Sequence, residues 1–229
     1  AAGLAALEKP VLLVDCDPQG NATRGLGHTA RVPHLYHVLV GESPIEAAIL
    51  PSGFPFLDLL PADRDLVGVE VEFVGLERWE EVLGARLAAI AERYDFILID
   101  CPPSLGHLTI LALVAATGVL IPLQCEYFAL EGVSELLSTI RRVTSALNPE
   151  LELAGILLTM YDDRMKLTRD VEREVREHFP AKVFEAVVPR NVRLAEAPSH
   201  GLSILHYDIK SRGAEAYLAV ARELLRRTR

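Results

Sequence analysis

Five short, mostly apolar runs are the feature that most constrains how this 229-residue chain can fold. Continuous apolar runs, unlike alternating ones, indicate strands that are buried on both faces of a parallel sheet. We therefore predict an α/β fold with a doubly wound, mostly parallel sheet and helices on both faces. The runs are Val11–Asp15, Phe56–Leu60, Phe96–Asp100, Val119–Leu123 and Leu153–Thr159, with Val183–Val188 as a sixth candidate.

Helical patterns lie between these runs, and their alternation with strands predicts right-handed crossovers. The predicted helices are Trp79–Arg93, Leu108–Ala116, Val133–Leu147, Lys166–His178 and Ala214–Arg227, with shorter ones at Leu35–Val40 and Ile45–Leu50. The sequence contains no internal repeat, low-complexity tract or linker, so we expect a single domain over residues 1–229. The segment Thr29–Glu72 carries no motif that we can assign.

Composition narrows the function classes. Half of the residues are hydrophobic, which allows a sizeable core, and the net charge of −9 disfavours a protein that coats nucleic acid over its whole surface. Residues 189–229 differ, because eight Lys/Arg and four Asp/Glu leave them with a net charge of +4. Either a polyanion-binding segment or a solvated helix face with a cationic last turn fits that pattern.

The cysteines argue against a disulfide-stabilised protein, and the interruptions in the uncharged stretch argue against a membrane-spanning one. Cys16, Cys101 and Cys125 are odd in number and widely spaced, which suits a reducing cytoplasm, and we expect small buried thiols beside strands. No signal peptide is visible. The stretch Cys101–Cys125 has no formal charge, but prolines and glycines interrupt it. It therefore predicts a loop, a buried helix and a buried strand, not a membrane span.

Acidic residues stand at the ends of two predicted strands. In open α/β sheets, ligands bind beyond the carboxyl ends of the strands. Asp15 and Asp100 each end an apolar run, as in a Walker B element, and such a carboxylate can hold a magnesium ion. For Asp100 alone, a carboxylate that caps the following loop is an equal alternative. Asp17 follows Asp15 by two residues and could orient or deprotonate an attacking water.

Four motifs resemble, in chain order, those of the ParA/Soj partitioning ATPases within the deviant Walker P-loop superfamily. They correspond to the first switch, the Walker B element with the second switch, the segment after a late strand and a long C-terminal motif. The matching segments are Asp15–Thr23, Asp100–Ser104, Thr159–Asp162 and Pro189–Ser199, and the match continues from Tyr207 to Tyr217.

The resemblance implies a magnesium-dependent ATPase. Asp17 would place the hydrolytic water, and Asp15 and Asp100 would surround the magnesium ion, with Asp100 as the Walker B acid. ATP would lie between the two protomers of a homodimer. The residues expected near the adenine are Met160, Pro189, Arg190 and Asn191.

The resemblance also implies partners and a location. The ATP-bound dimer would bind DNA without sequence preference in the cytoplasm, on the nucleoid, and a ParB/Spo0J-type centromere-binding protein would stimulate hydrolysis. Membrane attachment is not expected. Sequence-independent DNA binding relies on Lys and Arg contacts to phosphates. The candidates are Lys182, Arg193, Lys210 and Arg212, and a solvated surface charge is the alternative for each.

One element of the family pattern is missing from this sequence. The resemblance implies a Gly-rich loop with a Gly-Lys-Ser/Thr ending, whose backbone amides cradle phosphates. None of the four lysines follows a glycine. We expect the sequence to begin after that loop and after the first strand, with Ala1–Glu8 as the second half of the next helix. If the loop is truly absent, a non-hydrolysing module that binds a partner is the alternative.

Other members of the superfamily remain as alternatives. A MinD-type division-site ATPase shares both switches, but its terminal membrane helix usually carries aromatic residues, and the end of this chain has no Phe or Trp. A relative of the nitrogenase iron protein would need cluster-binding cysteines, and neither Cys101 nor Cys125 lies in a Gly-rich loop. The segment Asp17–Asn21 does not favour an enzyme of the dethiobiotin synthetase type.

Overall fold

The computed structural model describes residues 1–126 and 129–228, with only the backbone for 129–131. Arg229, which ends the predicted basic segment, lies outside the described residues. By its contacts the chain divides into two compact units. The first unit comprises Ala1–Ala116 with Ala197–Ser203, and the second comprises Thr117–Glu196 with Ile204–Arg229.

The first unit is built on a four-stranded sheet in the order β2-β3-β1-β4. Its strands are β1 (Val11–Asp15), β2 (Leu50–Pro51), β3 (Leu57–Leu60) and β4 (Phe96–Asp100). The central strand β1 runs parallel to both β3 and β4, whereas β2 is antiparallel to β3. Because β1 has a neighbour on each side, its apolar residues lie in the core, as the uninterrupted run predicted.

Short helices cover this sheet. They are α1 (Ala2–Ala5), α2 (Asn21–Gly25), α3 (Leu35–Leu39), α4 (Ile45–Ala48), α5 (Val69–Glu72), α6 (Val82–Ala88) and α7 (His107–Ala115), with 3-10 helices at Arg64–Gly68, Trp79–Glu81, Ala91–Arg93 and Ala197–His200. The core joins side chains of β1 and β3, such as Leu12 and Leu60, to helix residues such as Leu35, Leu83 and Leu111. Burial of these apolar side chains fixes the loops at the carboxyl ends of the strands.

The second unit contains two parallel strands, β5 (Gly118–Gln124) and β6 (Glu152–Thr159). Its helices are α8 (Ala129–Ala146), α9 (Lys166–His178), α10 (Val192–Glu196), α11 (Ile204–Tyr207) and α12 (Arg212–Arg227). The mostly parallel α/β fold class is confirmed. No helix in the described part of the chain is both long and apolar enough to cross a membrane.

The predicted sixth strand, Val183–Val188, is wrong as a regular strand. It runs beside β6, and the backbone N–H groups of Phe184 and Val188 donate to Ile156 and Leu158 at 2.8 and 2.9 Å. Only isolated bridges form, however, at Val183 and at Pro189. The ladder is interrupted because two of the intervening residues, Glu185 and Ala186, donate their N–H groups to the side chain of Glu223 on α12 instead.

Other boundaries differ for local reasons. The predicted helix Trp79–Arg93 is broken into three pieces, and Ile90 leaves the helical region with φ −124° while its side chain is buried. Strand β2 was not predicted, because its two residues, one of which is a proline, are too few to form an apolar run. Strand β4 is half-buried, not buried on both faces, and in the four-stranded sheet it pairs with β1 alone. Cys101, at its end, is exposed, so the prediction of a buried thiol is wrong there; Cys16 and Cys125 are buried as expected.

Candidate functional site

Asp15 lies at the carboxyl end of the central strand β1 and is fully buried. Thr23 donates to its Oδ2 twice, from the backbone N–H at 2.8 Å and from the hydroxyl at 2.6 Å. The N–H of Asp17 donates to Oδ1 at 3.3 Å. Burial raises the pKa of Asp15, and the hydrogen bonds from Thr23 oppose that rise. The carboxyl group is therefore held in one orientation at the edge of the sheet.

The loop after β1 is a tight turn that carries Asp17. The N–H of Gly20 donates to the carbonyl oxygen of Asp17 at 2.8 Å, and the N–H of Gln19 donates to Oδ1 of Asp17 at 2.9 Å. Such Asx turns are a common use of aspartate after a strand. Gly20 has φ +62°, and a Cβ there would lie 2.8 Å from the carbonyl oxygen of Ala62. A glycine is therefore required where the turn passes into α2, which carries Thr23.

Asp100 ends β4 directly beside Asp15, because the register pairs these two residues. Neighbouring strands lie about 4.8 Å apart. Asp100 as a residue is exposed, yet the surrounding protein partly desolvates its carboxyl group. This desolvation, together with the negative charges of Asp15 and Asp17, raises the pKa of Asp100 to about 6. The three predicted acids thus form one cluster, which we call the acidic cluster (Asp15, Asp17, Asp100).

The acidic cluster has the chemistry of a hard-cation site. Its oxygen donors are those that Mg²⁺ prefers, and a divalent cation would relieve the repulsion that raises the pKa of Asp100. The hydrogen bond from Gln19 occupies Oδ1 of Asp17, so that Oδ2 is the second oxygen of this carboxylate. The oxygen donors of the acidic cluster are therefore of the type that suits a magnesium ion.

Two supporting residues escaped the sequence analysis. Thr23 fixes Asp15, and the N–H of Ala62 donates to the Thr23 hydroxyl oxygen at 3.2 Å. Thr23 closes the motif Asp15–Thr23, which was a usable signal. Ala62 lies 39 residues farther along the chain and carries no sequence signal, because only its backbone takes part.

The residues predicted near an adenine come together in the second unit. The N–H of Tyr161 donates to Val188 and the N–H of Arg190 donates to Tyr161, both at 3.0 Å, so that Tyr161 pairs with Pro189. Met160 precedes this bridge with φ +51° and is 41% exposed. Asn191 is fixed next to it, because its Oδ1 accepts the N–H of the first turn of α10 at 2.8 Å.

The four predicted DNA-binding residues are all exposed but differ in their partners. Lys182 donates from Nζ to the carbonyl oxygen of Leu153 at 2.8 Å. Arg193 forms ion pairs with Glu196 at 2.9 Å and Asp208 at 3.5 Å. Within the described residues, Lys210 and Arg212 have no such ion pair. They flank Ser211, whose hydroxyl accepts the N–H of Ala214 at the start of α12.

Comparison with known proteins places this geometry in context. A family model described as an AAA domain matches residues 1–153. The chromosome partitioning protein ParA of Myxococcus xanthus is 52% identical over 229 residues, which cover 99% of this chain and 81% of that protein. The chromosome-partitioning ATPase Soj of Thermus thermophilus is also 52% identical, covering 99% of this chain and 88% of that protein.

Solved structures share the fold. Cobyrinic acid a,c-diamide synthase from Mycobacterium smegmatis with bound ADP and magnesium has a TM-score of 0.85 and 38% identity, covering 98% of this chain and 85% of that one. The cell division ATPase MinD of Pyrococcus furiosus has a TM-score of 0.80 and 25% identity, covering 98% and 89%. The predicted P-loop NTPase-like fold is confirmed by these neighbours.

Proposed function

Because this chain belongs to the ParA/Soj family of chromosome-partitioning ATPases, we propose that its protein hydrolyses ATP with magnesium to drive the segregation of DNA. The observation that carries the proposal is the acidic cluster, in which Asp15 and Asp100 are register partners and Asp17 follows in a fixed turn. Two carboxylates on adjacent strand ends and a third beside them suit metal-assisted phosphoryl transfer.

Each acid has a distinct task in this proposal. Asp100 and Asp15 hold the magnesium ion, with Asp100 as the Walker B acid. When bound, the ion offsets the negative charge of the phosphates. Asp17 orients the attacking water and accepts its proton. Support comes from the hydrogen bonds of Thr23, which hold Asp15, and from the Asx turn, which fixes Oδ1 of Asp17.

The adenine is bound by Met160, Pro189, Arg190 and Asn191. Support comes from the pairing of Tyr161 with Pro189 and from the side-chain bond of Asn191, because both fix the backbone around a prospective ligand. A loop that is already ordered loses less conformational entropy when it binds.

DNA binding completes the proposed cycle. With ATP the protein forms a homodimer that binds DNA through phosphate contacts at Lys182, Arg193, Lys210 and Arg212, and a ParB/Spo0J-type partner stimulates hydrolysis and release. The protein then works on the nucleoid, in the cytoplasm. Lys210 and Arg212 are the strongest candidates, because Arg193 is already paired with two carboxylates and Lys182 donates to a backbone carbonyl.

The test is ATP turnover in the full-length gene product. Asp17→Ala is expected to retain ATP binding and dimerisation while hydrolysis falls by at least about tenfold, since a water-positioning group is lost. Asp17→Asn keeps an oxygen that can accept from Gln19, so it separates loss of the charge from collapse of the turn. Asp170→Ala, on α9, removes an exposed acid as the control.

Either variant of Asp17 with unchanged turnover would remove this residue from the mechanism. Loss of ATP binding in Asp17→Asn would instead assign it a structural role. In both cases the assay reads hydrolysis and binding separately, so a folding defect is not mistaken for a catalytic one.

Two second candidates have specific support. The identity of 38% to the M. smegmatis synthase favours a synthase as the first alternative. Cobyrinic acid would then stimulate ATP turnover, whereas DNA with a centromere-binding partner would not. The likeness to MinD favours a division-site ATPase at the membrane. Helix α12 buries Val220, Ala221 and Leu224 in the second unit, which disfavours membrane insertion. Sedimentation with liposomes separates that candidate from the partitioning protein.

A further inference from the structure

Three side chains outside the acidic cluster converge where α3 begins and where the chain leaves β3. His34 precedes α3 and is only 1% exposed, and its Nδ1 is buried without a hydrogen-bond partner. Its Nε2 lies 3.4 Å from Oδ1 of Asp63 and 4.0 Å from Oδ2 of Asp65. One ligand atom from each residue lies within 4.8 Å of the other two. We call these residues the His34 cluster (His34, Asp63, Asp65).

We infer that the His34 cluster binds a divalent transition-metal ion of the zinc class, through Nε2 of His34 and one oxygen from each aspartate. Zinc binds nitrogen and carboxylate oxygen at about 2.0–2.2 Å, and tetrahedral ligand atoms are then roughly 3.4 Å apart. The distance from Nε2 to Asp63 already has that value. The distance to Asp65 is slightly longer, and Asp65 is 70% exposed, so its side chain is able to close the gap.

The ligand set selects the class of metal. One imidazole and two carboxylates suit zinc and similar ions, whereas magnesium prefers oxygen alone. The neutral imidazole is the form of histidine that binds metals. Three protein ligands leave a fourth tetrahedral position for water or a partner's side chain.

An ordinary ion pair does not account for this arrangement as well. Hydrogen bonds to nitrogen usually measure about 2.9 Å, and both distances from Nε2 are clearly longer. A buried histidine that faces two aspartates without close contact to either has the spacing of a metal site.

The position of the cluster gives the metal a structural consequence. The N–H of Leu35, next to His34, donates to the carbonyl oxygen of Pro61 at 3.0 Å. Ala62, next to Asp63, contacts Thr23, which holds Asp15. A bound ion would therefore fix the segment that supports the acidic cluster. The inference itself does not rest on the proposed function, because it uses only the His34 cluster.

The experiment measures zinc binding by the full-length protein in excess Mg²⁺, which occupies sites made of oxygen alone. Equilibrium dialysis gives the stoichiometry, and Co²⁺ absorption reports the ligand geometry. The test variant is Asp63→Asn/Asp65→Asn, because both aspartates are partly exposed and asparagine still caps the 3-10 helix that follows Asp63. The control is Glu42→Gln/Glu46→Gln, which removes two nearby exposed charges.

We expect the wild type and the control to bind one equivalent of zinc with the same affinity. The affinity of the test variant for zinc should be at least about tenfold lower. Zinc should also raise the unfolding temperature of the first two proteins and not of the third. Binding at the remaining histidines is common to all three proteins and cancels. Equal zinc affinity in all three proteins, or no zinc binding by the wild type, would overturn the inference.

Discussion

Replacing Glu223 with alanine is expected to destabilise the second unit by about 3–4 kcal/mol. This α12 glutamate is only 3% exposed. Its Oε1 accepts the N–H of Glu185 and its Oε2 the N–H of Ala186, both at 2.9 Å. A hydrogen bond to a charged group contributes about 1.5–3 kcal/mol, and two such bonds at the lower end of that range give the expected loss.

The remaining contacts limit the damage. Arg227, which pairs with Glu223 at 2.8 Å, also donates to the carbonyl oxygens of Ala181 and Val183 and lies over the ring of Phe184. Its guanidinium therefore keeps partners in the variant. Glu223→Gln should cost less than alanine, about 2–3 kcal/mol, because its amide can accept from one N–H group but presents a donor to the other.

The same hydrogen bonds predict how the stability of the fold depends on pH. Burial would raise the pKa of Glu223, but the two backbone N–H groups and Arg227 outweigh it, so the pKa is lowered on folding. A carboxyl group with a depressed folded pKa stabilises the fold fully above its unfolded pKa of about 4.3. The stability advantage of the wild type over Glu223→Gln should therefore persist at neutral pH and shrink as the pH falls through the lower, folded value.

The assay is urea unfolding followed by circular dichroism, with hydrogen exchange of residues 183–188 to localise the effect. Glu215→Gln, an exposed glutamate on the same helix, is the control and should change the free energy of unfolding by less than about 1 kcal/mol. A loss below about 1 kcal/mol in Glu223→Ala, or an advantage that grows in acid, would refute the argument.

Two further predictions concern Thr23, which supports the acidic cluster, and two candidate DNA-binding residues. Thr23→Val should destabilise the first unit by about 2–3 kcal/mol, because it removes a buried bond to Asp15 and orphans the N–H of Ala62, whereas Thr23→Ser should retain most of the stability in urea unfolding. Lys210→Ala/Arg212→Ala should weaken DNA binding in a filter assay and reduce its salt slope by about 0.9 for each phosphate that is no longer neutralised. The control Lys166→Ala/Arg222→Ala should leave both unchanged, and an unaltered slope in the test variant would exclude the two residues from DNA binding.

The sequence predicted the parts of the site that depend on local pattern. The bounds of β1 and β4 are confirmed, because apolar runs that end in aspartate mark both a strand and its carboxyl end. Parallel pairing then brings Asp15 and Asp100 together. The roles of these acids in hydrolysis stay predictions, since proximity alone does not establish chemistry.

The rest depended on contacts between residues far apart in the chain. The failure of Val183–Val188 to form a regular strand follows from Glu223, and no periodicity around residue 185 records a carboxylate that arrives from α12. Likewise, the apolar run of β4 did not show that Cys101 is exposed or that β4 pairs with β1 alone in the four-stranded sheet, because strand order is not visible in such a run. The His34 cluster also joins residues whose separation hides their proximity.

The central claim is that the acidic cluster holds the magnesium of an ATPase, and the magnesium dependence of ATP turnover in the full-length protein tests it most directly. Asp100→Asn should raise the magnesium concentration for half-maximal turnover by at least about tenfold, because it removes a charged ligand. Asp95→Asn, at the other end of β4, breaks only an ion pair with Lys9 and should leave that concentration unchanged. An unaltered requirement in Asp100→Asn would contradict the account, and absence of turnover in the wild type would favour a non-hydrolysing module that binds a partner.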